Sequence, residues 1–183
     1  MLRIVGGQYR HRLLNTPPGD STRPTTDKVR EALMSALGFS LIDSTILDLF
    51  AGSGALGLES LSRGAEKVYF CDNNYNALKA IKSNISALGV ESETEVFSSH
   101  YMVTLKLLKE RNVKLDIVFL DPPYIKQEVY QEVTDFLFEN DMLSDKAIIV
   151  KEWNKEIPTD DRFTHHKSYK YGSIHILIER KLI

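Results

Sequence analysis

Ile46-Leu47-Asp48-Leu49-Phe50-Ala51-Gly52-Ser53-Gly54-Ala55-Leu56-Gly57 (ILDLFAGSGALG) reads as a buried strand, a glycine-rich turn and the start of a helix. Gly52, Gly54 and Gly57 satisfy the G-x-G-x-x-G spacing of a backbone that passes close to a nucleotide. That spacing serves several ligand classes, so a second stretch is needed to choose among them. Leu120-Asp121-Pro122-Pro123-Tyr124 (LDPPY) places an acid, two prolines and an aromatic at the end of a later apolar strand. Such an exit suits a site that grips a planar amino group.

Outward from these two stretches the chain alternates strand and helix. Strands are predicted over 45–50, 67–71, 93–97, 115–120 and 146–152, and helices over 55–63, 75–88, 101–111 and 127–139. This rhythm predicts a parallel sheet covered on both faces. The tail alternates in strand fashion over 163–170 and 173–180 around Tyr171-Gly172, a terminal hairpin that supplies an antiparallel strand at or near one edge. Upstream, Thr25 or Thr26 caps a helix running to Leu37, with Val29, Leu33, Ala36 and Leu37 as its apolar stripe and Gly38 as its stop. Residues 15–26 are rich in Pro, Gly, Ser and Thr and read as a loop.

Met1 to Leu14 reads as a short hairpin about Gly6-Gly7. It carries Arg3, Arg10, His11 and Arg12 with no acid among them. Two readings stand side by side: an arm lying on phosphates, or a solvated edge whose charges block unwanted pairing.

Composition bounds the rest. At 183 residues and 43% hydrophobic the chain can bury one sizeable core. A formal charge of −2 means that any footprint for nucleic acid is local. Cys71 is the one cysteine, which excludes a disulfide framework; in an apolar strand it reads as an inert buried thiol. No metal-ligand cluster is expected, and His165 and His166 read as solvated strand positions. Trp153 reads as packing. With no hydrophobic signal core or membrane-length apolar run, a soluble cytoplasmic protein is expected.

In an open α/β sheet ligands sit beyond the carboxyl ends of the strands, where the strand order reverses. Asp72 ends the second strand of this alternation, placed to accept both hydroxyls of a ribose. Asp48 lies inside the first, either orienting the glycine turn, facing a cationic ligand group, or satisfied by local backbone. The Gly-Lys-Ser/Thr ending of a phosphate-cradling Walker loop is absent. A dinucleotide would fit the glycines and Asp72 but leaves LDPPY without a role. A sulfonium nucleoside with an amino-acid tail accounts for both. The lone pair of an exocyclic amino nitrogen is delocalised into its ring, so a carboxylate and a backbone carbonyl accepting its two hydrogens would orient it for attack. Prolines stiffen that backbone, and Tyr124 offers a face for an unstacked base.

On RIVGGQYRHRLL, RPTTDKVREALMSAL, LDLFAGSGALGLESLSRGA and LDIVFLDPPY the chain resembles the Rossmann-like S-adenosylmethionine-dependent methyltransferases. More narrowly, it resembles the RsmD-like family that methylates N2 of a guanine in 16S ribosomal RNA. The resemblance implies a class I methyltransferase fold with a seven-stranded, mostly parallel sheet. Residues 25–183 would form the methyltransferase domain and residues 1–24 a basic arm and loop. It implies that Asp48, Phe50, Ala51, Gly52, Ser53 and Gly54 surround the methionine part of the cofactor, with Asp72 at the ribose and Asn73 beside the adenine. Asp121 and the Pro122 carbonyl would grip the amino group, Tyr124 would stack the base beside Pro123, and Arg10, Arg12 and Arg23 would hold RNA. Two positions depart from the family's pattern. Ser98-Ser99-His100 stands where an acid often follows the third strand, leaving Ser99 and His100 as the candidates there, and Asn74 replaces a second acid after Asp72. The expected substrate is the small ribosomal subunit, the expected state a monomer, and no metal is required. The rival expectations are DNA adenine or protein glutamine as methyl acceptor, a noncatalytic assembly factor that binds RNA, and nicotinamide binding.

Overall fold

A computed structural model describes residues 1–18, 26–123 and 127–182. Two short strands, β1 (Leu2–Arg3) and β2 (Leu13–Leu14), pair antiparallel. Helix α1 (Asp27–Leu37) follows, its first turn capped by Thr26, whose Oγ1 accepts the Val29 N–H at 3.3 Å. Gly38 ends it at φ 52°, and a 3-10 turn, Gly38–Leu41, leads to the sheet. The alternation is then β3 (Thr45–Asp48), α2 (Ala55–Ser62), β4 (Lys67–Asp72), α3 (Tyr75–Leu88), β5 (Thr94–Ser98), α4 (Tyr101–Glu110), β6 (Leu115–Leu120), α5 (Glu128–Glu139) and β7 (Leu143–Trp153). The hairpin of β8 (His165–Tyr171) and β9 (Ile174–Arg180) closes the chain.

The seven strands lie in the order β5-β4-β3-β6-β7-β9-β8. The first five are parallel, and β9 runs against β7 and β8. The single reversed strand therefore lies one place in from the edge. The chain moves outward from β3 to β5, then restarts at β6 on the other side of β3, so the order reverses between β3 and β6. Alternation along each strand sends side chains to two cores. Ile46, Phe70, Ile117, Phe119, Ile148 and Val150 face the core under α1, α2 and α3; Leu47, Cys71, Val118, Leu120 and Ile149 face the core under α4 and α5.

Strand β7 begins three residues earlier than expected. Leu143 pairs with Leu115, but the next pair is Ile148 with Ile117, so the chain bulges between them. The polar run Ser144-Asp145-Lys146 fills that bulge and hides the strand from an apolar pattern. The ladder of β3 ends at Asp48 rather than Phe50, although the Leu49 N–H still reaches the Phe119 carbonyl at 3.3 Å.

The N-terminal hairpin is docked by a buried carboxylate. Glu59 of α2 accepts the N–H groups of Val5 at 2.9 Å and Gly6 at 2.8 Å, and pairs with Arg30 and Arg63. Ser62 holds the next turn, its carbonyl accepting the Gln8 N–H at 2.7 Å and its hydroxyl donating to the Gly6 carbonyl at 2.6 Å. A Cβ on Gly7 would lie 1.9 Å from the Ser62 oxygen, and Gly7 sits at φ 75°, so only glycine fits. Leu2, Ile4 and Leu14 enter the same core as α1 and α2.

Candidate active site

At the carboxyl ends of β3, β4, β5 and β6 a pocket opens, lined by Leu49, Phe50, Cys71, Asp72, Asn73, Ser99, Tyr101 and Pro123. The glycine turn follows directly on Leu49 and Phe50 of its lining. Gly52 and Gly54 adopt φ 57° and 80°, which permits the turn, and open space lies where a Cβ on Gly52 would point. Gly57 is needed for a different reason. A Cβ there would stand 2.3 Å from the Phe70 ring, so the helix can lie against β4 only without one.

Two acids hold the turn from below. Asp72 accepts the Gly52 N–H at 2.9 Å through one oxygen and the Asn74 N–H at 2.9 Å through the other. Asp48 accepts the Gly57 N–H at 3.2 Å, in the first turn of α2. Burial drives the Asp48 carboxyl up from 3.8 to about 7, opposed by the Gly57 hydrogen bond and reinforced by the charge of Asp72. The anion site that a helix N-terminus normally offers a ligand is thus occupied by the protein's own carboxylate.

Asp48 pairs with Phe119 and Phe119 with Val150. Two residues further along their chains, Asp121 and Glu152 project to the same face as Asp48. Burial, then the charges of Glu152 and Asp48, raise the Asp121 carboxyl above the ordinary range. Three acids therefore line the switch point between β3, β6 and β7. Glu152 was not singled out from the sequence; the available signal was an acid next to Lys151, directly after the apolar run Ala147–Val150. The Tyr130 hydroxyl donates to the Glu152 backbone carbonyl and braces this exit from α5. Pro122 is buried, and Pro123 lies on the pocket wall. Tyr124 and Arg23 lie outside the described residues.

Opposite, Phe50 and Tyr101 form an aromatic wall with ring centroids 5.3 Å apart. The Tyr101 hydroxyl donates to Glu132 at 2.7 Å, and burial lifts its own ionisation to about 12. Reading Tyr101 as the first residue of a helix concealed its place in the pocket. Ser99 lines the wall, tied through its hydroxyl to Thr104 at 2.8 Å. His100 does not line it: its Nδ1 accepts the Met102 N–H at 3.3 Å and caps α4. Cys71 lies at the base, its thiol raised to about 11 chiefly by burial and bonded by the Thr104 hydroxyl. Trp153 packs beside Tyr130, as expected.

Arg10 and Arg12 are not at this pocket. Arg12 donates to the Ala87 carbonyl, near the carboxyl end of α3, and the tip bearing Arg10 and His11 lies beside it. Helix α3 begins next to Asp72, and its 14 residues span about 21 Å. Arg10 is exposed and, among the described residues, pairs with no carboxylate. The chain returns toward the site through Asn84, a buried amide that bonds the Asn15 N–H (2.7 Å), the Asn15 carbonyl (3.0 Å) and the Ser53 carbonyl (2.9 Å). Asn84→Ala removes the brace beneath the glycine turn. Its binding of S-adenosylhomocysteine, measured by calorimetry, is expected to weaken roughly tenfold for the one lost turn contact. Wild-type affinity would show that the turn holds itself.

Among the described residues no group of acids, histidines and cysteine is arranged to hold a metal ion, and no helix is long and apolar enough to cross a membrane.

Comparison with known proteins agrees with this architecture. The family described as Conserved hypothetical protein 95 matches residues 2–180. Ribosomal RNA small subunit methyltransferase D of Haemophilus influenzae is 36% identical over 176 residues, covering 94% of this chain and 90% of that protein. The protein of that name from Escherichia coli K12 is 36% identical over 160 residues, covering 86% and 78%. The solved structure of yhhF from Escherichia coli superposes with a TM-score of 0.85 at 33% identity, covering 99% of this chain and 98% of that one. At 15% identity, an RNA methyltransferase from Salinibacter ruber solved with S-adenosyl-L-homocysteine shares the fold, with a TM-score of 0.65 over 87% and 94%. The chain belongs to the Conserved hypothetical protein 95 family, the RsmD-like methyltransferases.

Proposed function

We propose that this chain, acting as a monomer, transfers a methyl group from S-adenosylmethionine to the exocyclic N2 amino group of a guanine in 16S ribosomal RNA, within an assembling or assembled small subunit. The observation that carries the cofactor reading is the filling of the glycine turn's donors by Asp72 and Asp48. A dinucleotide would bring its diphosphate to these donors and meet two carboxylates instead. A cofactor with a cationic methionine part meets a favourable field there. The pocket lining contains no Lys or Arg, in keeping with that choice.

When bound, the cofactor supplies an electrophilic methyl group on a sulfonium. Tyr101 would border its adenine together with Asn73 and Ser99, and the outer lone pairs of Asp72 would accept the ribose hydroxyls. Asp48, with Phe50 and Ala51 to Gly54, would face the methionine part. Asp121 and the Pro122 carbonyl would accept the two amino hydrogens of the target base and orient its nitrogen lone pair; Asp121, whose carboxyl is already raised, would take the proton lost as the nitrogen gains the methyl and the sulfonium leaves as a thioether. Holding donor and acceptor in line supplies much of the rate, so no metal is needed. Pro123 would border the base, and Arg10 and Arg12 would meet phosphates away from it; base stacking by Tyr124 and RNA holding by Arg23 complete the proposal. Arg12 would do so with the N–H groups left over from Ala87.

The reading is tested by offering labelled S-adenosylmethionine with undermethylated small subunits, naked 16S RNA, DNA and protein. Label is expected in the RNA. Label confined to DNA or protein would replace the substrate, and no label in any acceptor would favour a noncatalytic assembly role. Thermal stabilisation by NAD but not by S-adenosylhomocysteine would replace the cofactor.

A further inference from the structure

We propose that the exposed edge strand β8 is a docking edge for single-stranded RNA flanking the target nucleotide, with Lys167, Tyr169 and Tyr171 as its contact ladder. This rests on the reading that the substrate is RNA. The strand reads His165-His166-Lys167-Ser168-Tyr169-Lys170-Tyr171, seven residues with no acid, and its side chains are exposed except for the half-buried tyrosines. Register places Lys167 opposite Ile178, Tyr169 opposite Ile176 and Tyr171 opposite Ile174. Those isoleucines belong to the core under α1 and α2, so the three side chains share the sheet face of Asp48 and Asp121.

Three features distinguish this ladder from an ordinary solvated edge. The Tyr169 and Tyr171 rings stack at 6.3 Å with planes 12° apart, and the Lys167 ammonium stands 5.1 Å from the Tyr169 ring centre. Aligned aromatic faces flanked by a cation are what single-stranded RNA uses for stacking and phosphate contact; Lys170 adds charge from the opposite face of the strand. Among the described residues neither Lys167 nor Lys170 is ion-paired, whereas Arg3 is held by Asp27 and Arg12 by Ala87. Direction matters too. Strand β8 opposes β9, which opposes β7, so β8 points the same way as β7 and Tyr171 lies at the end where the site opens. Three strand spacings separate β8 from β6, about 14 Å, a distance that a few nucleotides cover.

Packing of the tyrosines and lysines that merely block edge pairing would also produce such a strand, so the variants separate the two. Tyr169→Leu with Tyr171→Leu keeps apolar cover over the isoleucines and removes the π faces; Lys167→Ala with Lys170→Ala removes charge alone. Each pair is measured for binding to naked 16S RNA and to small-subunit particles at several salt concentrations, and for methyl transfer. The tyrosine pair is expected to raise KM for RNA roughly tenfold or more, with kcat, S-adenosylhomocysteine affinity and melting temperature unchanged. The lysine pair is expected to lessen the salt dependence of binding by about one to two ions. If the wild-type chain methylates RNA and both variants bind it as the wild type does, the docking edge is wrong and the function stands. Loss of binding to particles alone would assign β8 to a ribosomal protein and also overturn the proposal. Should the wild type neither bind nor methylate RNA, the function reading fails and the docking edge with it.

Discussion

Asp121→Ala is expected to lower kcat for methyl transfer by roughly 10²- to 10⁴-fold, the range of a positioned proton acceptor, while leaving S-adenosylhomocysteine affinity within a few-fold of wild type. The split follows from geometry. Asp121 projects from the end of β6 toward Asp48 and Glu152 and is not among the residues lining the cofactor pocket. Removing it releases the amino group of the base without disturbing the turn held by Asp72. Stability should not fall, because a buried acid flanked by two others is itself unfavourable. Stopped-turnover assays with calorimetry on the same preparation read both quantities. Comparable losses of turnover and cofactor affinity would place Asp121 in the cofactor site instead.

Asp48→Asn is expected to make the protein more stable and a poorer binder of its cofactor. The Asp48 carboxyl stands at about 7 in the folded chain against an ordinary 3.8. A pKa raised by folding favours the protonated form, so its stabilising contribution is complete below pH 4 and is lost as the pH rises toward 7. Above pH 7 the fold carries a buried charge, at a cost of roughly 4 kcal/mol. The amide keeps an oxygen to accept the Gly57 N–H and carries no charge. The variant should therefore melt higher than wild type at pH 8, with the gap closing toward pH 5. S-adenosylhomocysteine keeps the ammonium of the methionine part, and its affinity should fall roughly ten- to a hundredfold with the lost charge. In the wild type that affinity should rise with pH through about 7 as Asp48 ionises, and in the variant it should be flat. A variant that melts lower at pH 8 and binds normally would show that Asp48 serves only the turn.

Much of this architecture was legible in the chain because its signals are periodic or steric. The alternation of apolar strands with helices of 3.6-residue period gave five parallel strands, and the glycine spacing gave the turn. What escaped was polar burial. Arg30 and Glu59, and likewise Lys151 and Glu179, are buried ion pairs at positions an apolar pattern assigns to solvent. Glu152 was hidden in the same way, since nothing local distinguishes a strand acid facing a site from one facing water. Tyr101 was read as part of a helix, because which helix end borders a pocket depends on strand order. The arm was legible, but its docking on Glu59 and Ser62 was not, because it depends on a buried acid and a backbone carbonyl contributed by a distant helix.

Methyl transfer as proposed requires an amino nitrogen clasped at the exit of β6 while a methyl donor sits on the turn after β3. Nucleoside mass analysis of small-subunit RNA, after turnover by the wild type and by Asp121→Ala, tests this most directly. The predicted result is N2-methylguanosine formed by the wild type and nearly absent with the variant. A methyl group on a ribose oxygen or a ring carbon, or equal product from both proteins, would contradict it.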